Sequence, residues 1–247
     1  HELGVDMTNL FNMLSGFARP PYFYNLRVAP DGIRDFINEK IDDQIKVAKS
    51  GGPALIRMKM NSLSDKQIIA HLYDAAANGV KVQLLVRGIT CLRNDLPELH
   101  DNIKVHSIVG RFLEHSRIYY FASNGHEEIY LASADMMTRN LNRRVEELYP
   151  VTQADTKARA IQIFNIMWKD NVKSRILVGD RYERIDRGDD VPFNSQEYFV
   201  HEAVELNREN SHQQKARRHF PTVFETLSKH VPVLHLKERG DDHDESK

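Results

Sequence analysis

His115, Ser116 and Arg117 put an imidazole and a guanidinium two residues apart at the head of a β-prone segment. In an extended chain residues i and i+2 point to one side, so both groups would project toward a common ligand. An imidazole can serve as a nucleophile, or as a proton donor and acceptor near neutral pH. An adjacent guanidinium would neutralise the oxygens of a group in transfer. The surrounding stretch is biased the same way. Between Lys104 and Lys157 there is no lysine, yet there are five arginines: Arg111, Arg117, Arg139, Arg143 and Arg144. Guanidinium forks grip phosphate oxygens in pairs, where an ammonium offers a point charge. The plainer alternative is surface ion pairing with Glu114, Glu127, Glu128, Glu146 and Glu147. His235-Leu236-Lys237 also reads His-x-basic, but it lies in the charged tail and is assigned no role.

Further candidates sit where apolar runs end. Lys59 and Asn61 close one run and Arg87 closes another, and ligands of parallel sheets gather beyond the carboxyl ends of the strands. Ser133-Ala134-Asp135 follows a β-prone segment and precedes a short polar helical stretch, Thr138 to Arg144. Such a turn aims backbone amides at an anion above the sheet edge, although a simple helix cap is an equal reading of Ser133 and Asp135. Arg139 and Arg143 would share one face of that helix, with Asn140 between them. The site set is therefore His115 as the catalytic group, with Lys59, Asn61, Arg87, Arg117, Ser133, Asp135, Arg139, Asn140 and Arg143 around phosphate.

The elements that would carry these residues follow from periodicity. Tyr22 to Ala29 is aromatic and β-prone, and Pro30-Asp31-Gly32 ends it. Ile33, Phe36, Ile37, Ile41, Ile45 and Ala48 form a helical stripe that stops at Ser50-Gly51-Gly52-Pro53. Ala54 to Met60 reads as a buried strand. Ser64 to Gln67 has capping-box spacing and opens a helix that ends at Asn78-Gly79. Lys81 to Val86 is the next strand, and Ile103 to Val109 another. Ile118 to Phe121 and Ile129 to Ala132 flank an Asn124-Gly125 hairpin signal. Val145 to Val151 reads as a strand, Ala154 to Trp168 as a helix, and Glu197 to Lys229 as a charged helix. Alternating strands and helices predict an α/β domain.

Composition narrows the class. The 247 residues carry 34 basic and 35 acidic side chains, so no global pull toward nucleic acid or anionic membrane arises and anion binding must be local. No apolar run reaches the length of a membrane span, and His1 to Asn12 lacks the basic and apolar regions of a signal peptide. A single cysteine, Cys91, excludes an internal disulfide and a cysteine-based zinc site, and fits a cytoplasmic setting. The chain opens with His rather than Met and is read as an excerpt from a longer polypeptide.

Four blocks carry a family resemblance: KMNSL (Lys59 to Leu63), LLVRGITCLR (Leu84 to Arg93), SIVGRFLEHSRIYYF (Ser107 to Phe121) and ASADMMTRNLNRRVE (Ala132 to Glu146). In order and spacing they resemble the C-terminal part of bacterial polyphosphate kinase, from roughly Leu10 to Lys173. The resemblance implies reversible transfer of the terminal phosphate of ATP to polyphosphate through a phosphohistidine. It implies a pair of phospholipase D-like domains, this chain being the second and the phosphorylated histidine lying in the first. His115 then matches the histidine thought to assist proton transfer, and Arg87 and His115 match positions at the nucleotide phosphates. Mg2+ and ATP or ADP are implied, with the metal-associated arginines outside this chain, so no metal ligand is assigned here. Implied partners are ATP, polyphosphate, the remaining N-terminal domains of the same enzyme and further copies of itself. One departure is Met136, where the family usually has tryptophan.

The fold expected is thus a phospholipase D-like, mixed and largely parallel sheet flanked by helices. Residues 1–20 form a helical lead-in, 21–179 the catalytic domain, and 180–247 a charged helical extension with a frayed end. A phospholipase D-like phosphodiesterase is the competing enzyme class; that family uses His-x-Lys followed by Asp, whereas here Arg117 has no Asp at the matching offset. A non-catalytic polyanion- or nucleotide-binding domain is the third reading, and the isolated chain is expected to be inactive.

Overall fold

The structure, a computed structural model, describes residues 2–16, 22–30, 32–96, 99 and 101–214. In chain order the elements are α1 (Glu2–Leu14), β1 (Arg27–Val28), α2 (Ile33–Lys49), β2 (Ala54–Met60), α3 (Lys66–Ala77), β3 (Lys81–Val86), β4 (Ile103–Ile108), β5 (Ile118–Ser123), β6 (His126–Ala132), α4 (Thr138–Arg143), β7 (Glu147–Pro150), α5 (Ala154–Trp168), β8 (Ser174–Val178), β9 (Arg181–Arg184) and α6 (Ser195–Gln214). The chain divides into units 1–200 and 201–247; the site and sheet belong to the first. Among the described residues no helix is long and apolar enough to cross a membrane.

Side-chain alternation along the strands builds the layers. On β2, Ile56, Met58 and Met60 are fully buried in one core with Ile33, Ile37 and Ile41 of α2 and Ile68 and Leu72 of α3. Leu55 and Arg57 turn the other way: Leu55 packs in the cluster around Ala160 of α5, and Arg57 donates to Asn165 Oδ1 of α5 at 3.0 Å. β5 repeats the pattern, with Tyr119 and Phe121 on the α2–α3 side and Ile118 and Tyr120 on the α5 side. Both faces being covered explains why β2 and β3 are apolar almost throughout.

One nine-stranded mixed sheet results, in the order β1-β7-β6-β5-β2-β3-β4-β8-β9. The mixed sheet with flanking helices is as expected, and its parallel part is the central trio β2, β3 and β4. The other six pairings are antiparallel, more than the sequence pattern suggested. One of the six is closed by the Asn124-Gly125 turn. Its φ angles of 48° and 81° make a two-residue hairpin between Ser123 and His126 that reverses the chain beside β2. β8 and β9 were not foreseen; β9 lies past position 179, in the stretch assigned to the extension, because its Arg-Tyr-Glu-Arg text is that of a solvated edge strand.

Two local readings are corrected. The cap of α3 is Asp65, not Ser64: its carboxylate accepts from Ile68 N at 3.2 Å, while the amides of Ser64 and Asp65 both donate to the Met136 carbonyl. Of Tyr22 to Ala29, two residues are strand, Arg27 and Val28, paired antiparallel with β7. The helix expected from Glu197 is α6, described to Gln214; positions 215–247, His235 included, lie outside the described residues, as do 1 and 17–21.

Topology now places the chemistry. β2, β3 and β4 run parallel and finish at one edge. β5 is antiparallel to β2, with Ile118 opposite Lys59, so β5 begins at that edge, and β6, antiparallel to β5, ends there. Asn61, Arg87, His115, Arg117 and Asp135 therefore lie just beyond the strands at one end of the sheet. Bridges from Leu63 to Thr90 and to Met136 knit the loops together above the edge.

Candidate active site

Asp135 is the anchor. Seven per cent exposed, its carboxylate takes the backbone amide of Asn61 at 2.7 Å. It also receives Arg117 through a fork, Nε to Oδ1 at 3.2 Å and Nη2 to Oδ2 at 3.1 Å. Charge-assisted, two-point bonding of this kind fixes the plane of the guanidinium. The remaining nitrogen of Arg117, Nη1, then meets His115 twice, at the carbonyl oxygen (2.9 Å) and at ring Nδ1 (3.1 Å). A guanidinium can only donate, so Nδ1 is the acceptor and the ring proton resides on Nε2. His115 is exposed, and its Nε2–H is the group it offers outward.

Arg87 is placed differently. Its Nε donates to Asn61 Oδ1 at 3.0 Å, and its carbonyl accepts from Ser107 Oγ at 3.0 Å. Among the described residues nothing accepts from its Nη1 or Nη2, so the open end of this fork is available to an anion. Lys59, 2% exposed, donates to the Ser116 carbonyl at 3.1 Å and lies 3.6 Å from Glu114 Oε2. Burial pushes the Lys59 ammonium down to about 8; Glu114 opposes the shift, while Arg117 and Arg87 add to it. Beneath these groups Lys59, Leu85, Arg87, Glu114 and Met167 line a cavity of about 10 Å³, space for one water.

The remaining candidates form a second group around Glu146. Ser133 Oγ and Asn140 Nδ2 both donate to its carboxylate, the latter at 2.8 Å. Arg139 and Arg143 are exposed on α4. So Lys59, Asn61, Arg87, His115, Arg117 and Asp135 are brought together, whereas Ser133 and Asn140 turn to β7. Asp135 itself is an acceptor committed to Arg117 and Asn61. The sequence placed it among phosphate ligands; here its oxygens face the Arg117 guanidinium and the Asn61 amide.

A guanidinium fork and an imidazole N–H at one end of the sheet are groups suited to phosphate oxygens. Residues 26–196 match the family described as polyphosphate kinase C-terminal domain 2. The chain belongs to that family. A polyphosphate kinase of Lactiplantibacillus plantarum is 59% identical over 204 residues, 82% of this chain and 28% of the relative. One from Bacillus cereus is 50% identical over 174 residues, 70% of this chain and 25% of the relative. The crystal structure of polyphosphate kinase from Porphyromonas gingivalis superposes with a TM-score of 0.77 at 34% identity, covering 83% of this chain and 32% of that one. The chain thus spans under a third of the length of the polyphosphate kinases it matches.

Within this polyphosphate kinase domain Met136 is fully buried, and its carbonyl receives the two amides at the head of α3. Sequence reasoning missed three residues. Glu114 was treated as a partner for surface arginines, yet it pairs with a buried lysine. Ser107 bonds the Arg87 carbonyl, and Gln196 bonds Phe112 and Glu114. The adjacency of Glu114 to His115 was the one available signal; Gln196 lies 81 positions beyond His115 and gave none.

Proposed function

We propose that this domain forms the nucleotide- and polyphosphate-binding side of a polyphosphate kinase site, working with a phosphorylated histidine in another part of the enzyme. The observation that carries this reading is the fixed imidazole: Arg117, clamped by Asp135, leaves His115 Nε2–H free, and the same Asp135 contacts Asn61, which ties down Arg87 Nε and leaves its Nη groups open. In the forward direction the bond between the β,γ-bridging oxygen and the γ-phosphorus of ATP breaks as a nitrogen–phosphorus bond forms on the accepting histidine, and ADP departs. A terminal oxygen of polyphosphate then attacks that phosphorus, the nitrogen–phosphorus bond breaks, and the chain is one unit longer. Every step reverses.

His115 Nε2–H hydrogen-bonds the oxygen that gains charge as the bridge opens and keeps its proton throughout, because the neutral ring, with Nδ1 accepting from Arg117, has no second proton to give. Arg87 spans two non-bridging oxygens with its Nη groups. Arg117 acts through His115, because its donors are committed to the protein. Lys59 adds positive charge from beneath. Among the described residues no group of three or more His, Cys, Asp or Glu is placed to hold a metal ion.

The test is polyphosphate synthesis from ATP by the full-length enzyme carrying His115→Ala. Synthesis should fall by about a hundredfold or more, the usual worth of a positioned donor to developing charge, with the melting temperature unchanged. Near-wild-type synthesis removes His115 from the reaction. The isolated chain should bind ATP or polyphosphate weakly and turn over neither.

A further inference from the structure

We infer that Gln196 is a positioning residue for this site: one side-chain amide sets the course of the Gly110–Ser116 segment that delivers His115 and Glu114. The inference rests on the polyphosphate kinase reading and concerns a residue on the far side of the sheet text from the four motif blocks.

The segment has little else to hold it. Phe112 and Leu113 are 49% and 67% exposed, so no apolar anchor fixes its path. Gln196, 6% exposed, supplies the fixing instead. Its Oε1 accepts from Phe112 N at 3.0 Å, and its Nε2 donates to the Phe112 carbonyl at 2.9 Å and to Glu114 Oε1 at 2.7 Å. Both amide hydrogens are used, and the orientation is unique, because Phe112 N–H cannot accept and the Glu114 carboxylate cannot donate. Glu114 presents its other oxygen to Lys59 at 3.6 Å, and Lys59 bonds the Ser116 carbonyl. The chain is thus gripped at alternate residues: Phe112 and Glu114 by Gln196, Glu114 and Ser116 by Lys59, then Arg117 by Asp135.

Two features show that the amide is itself held and closely fitted. Ser195 N and Oγ each donate to Asp170 Oδ2 at 2.8 Å, and Asp170 Oδ1 accepts from the amides of Val172, Lys173 and Ser174, so the head of α6 is pinned. Gly110 passes so near that a Cβ there would lie 2.4 Å from Gln196 Oε1. Any side chain at 110 must displace the amide.

Losing the amide should therefore act in two ways. The imidazole is delivered less accurately, which lowers kcat. Glu114 is released from Lys59, whose remaining charged neighbours are Arg117 and Arg87, so the ammonium loses its proton at lower pH.

The experiment compares full-length wild type, Gln196→Ala, Gly110→Ala and the double variant, with His115→Ala as control, measuring polyphosphate synthesis against ATP concentration and pH. For Gln196→Ala, kcat should fall about tenfold or more with KM for ATP within about twofold, as expected of misplacement rather than lost binding. The alkaline limb should move to lower pH by about half a unit or more. Gly110→Ala, which displaces the amide without removing it, should do the same alone and add nothing to Gln196→Ala. If Gln196→Ala fails to fold, Gly110→Ala alone decides by the same two readouts. Wild-type kcat and pH profile in the variants, with His115→Ala inactive, would overturn the inference while sparing the function. An active His115→Ala enzyme would bring down both.

Discussion

Arg117 Nη1 lies 3.1 Å from His115 Nδ1, while Nε and Nη2 of the same guanidinium are taken by Asp135. The arginine two residues after the histidine is thus a support for the imidazole, and the fork left open to an anion is that of Arg87. A lysine at 117, with all its donors on one nitrogen, could not fork onto both oxygens of Asp135 and reach the His115 ring as well.

Asp135→Ala should be costly in a specific way. It leaves Arg117 largely buried without its partner and the Asn61 amide without an acceptor, a loss of about 3 kcal/mol for a broken buried pair. Urea unfolding of the chain checks this; a change below about 0.5 kcal/mol, the scale of a surface substitution, would mean that Asp135 anchors nothing.

How far the residues alone announced this can be judged from these positions. His115 and Arg117 are indeed neighbours, but both precede β5 and meet by a hydrogen bond rather than through a strand's pleat, while the strand ends place Asn61 and Arg87 at one end of the sheet. The division of labour between the two arginines was not legible. It depends on Asp135, which reaches Arg117 only because a hairpin folds β6 back along β5. The antiparallel flanks and β9 were underread for a related cause: edge strands that face water lose the apolar run that marks β2 and β3. Gln196 was invisible, since a single amide has no periodicity.

Lys59 predicts an alkaline effect on stability. Its folded pKa of about 8 lies below the ordinary 10.5, so from pH 8 to 10 the unfolded chain holds a proton that the folded chain has released. Stability contributed by this group therefore rises with pH, with a slope approaching about 1.4 kcal/mol per unit. Lys59→Met should flatten that slope in urea titrations at pH 8.0 and about 9.5. An equal slope in both proteins would contradict it.

At the acid end the responsible group is His106. It stacks on Trp168 at 4.0 Å and 3°, its Nδ1 has no partner, and burial, with Lys104 assisting against Asp170, pushes its pKa from 6.5 to about 4. As pH falls through that window the unfolded chain gains a proton first, so the folded state loses stability. His106→Phe keeps a stacked ring and should remove the loss between about pH 6.5 and 4, read from melting temperatures. A variant as acid-sensitive as the wild type would point to other groups.

The convergence of these side chains on one anion site is tested most directly by nitrogen-15 NMR of the chain titrated with inorganic tripolyphosphate. The His115 ring should begin as the Nε2–H form, and the Nε2 signal and the Arg87 side-chain signals should move together along one saturation curve that Arg87→Lys shifts to weaker binding. Signals that saturate at separate concentrations, or an Arg87 that moves while His115 stays still, would contradict the account.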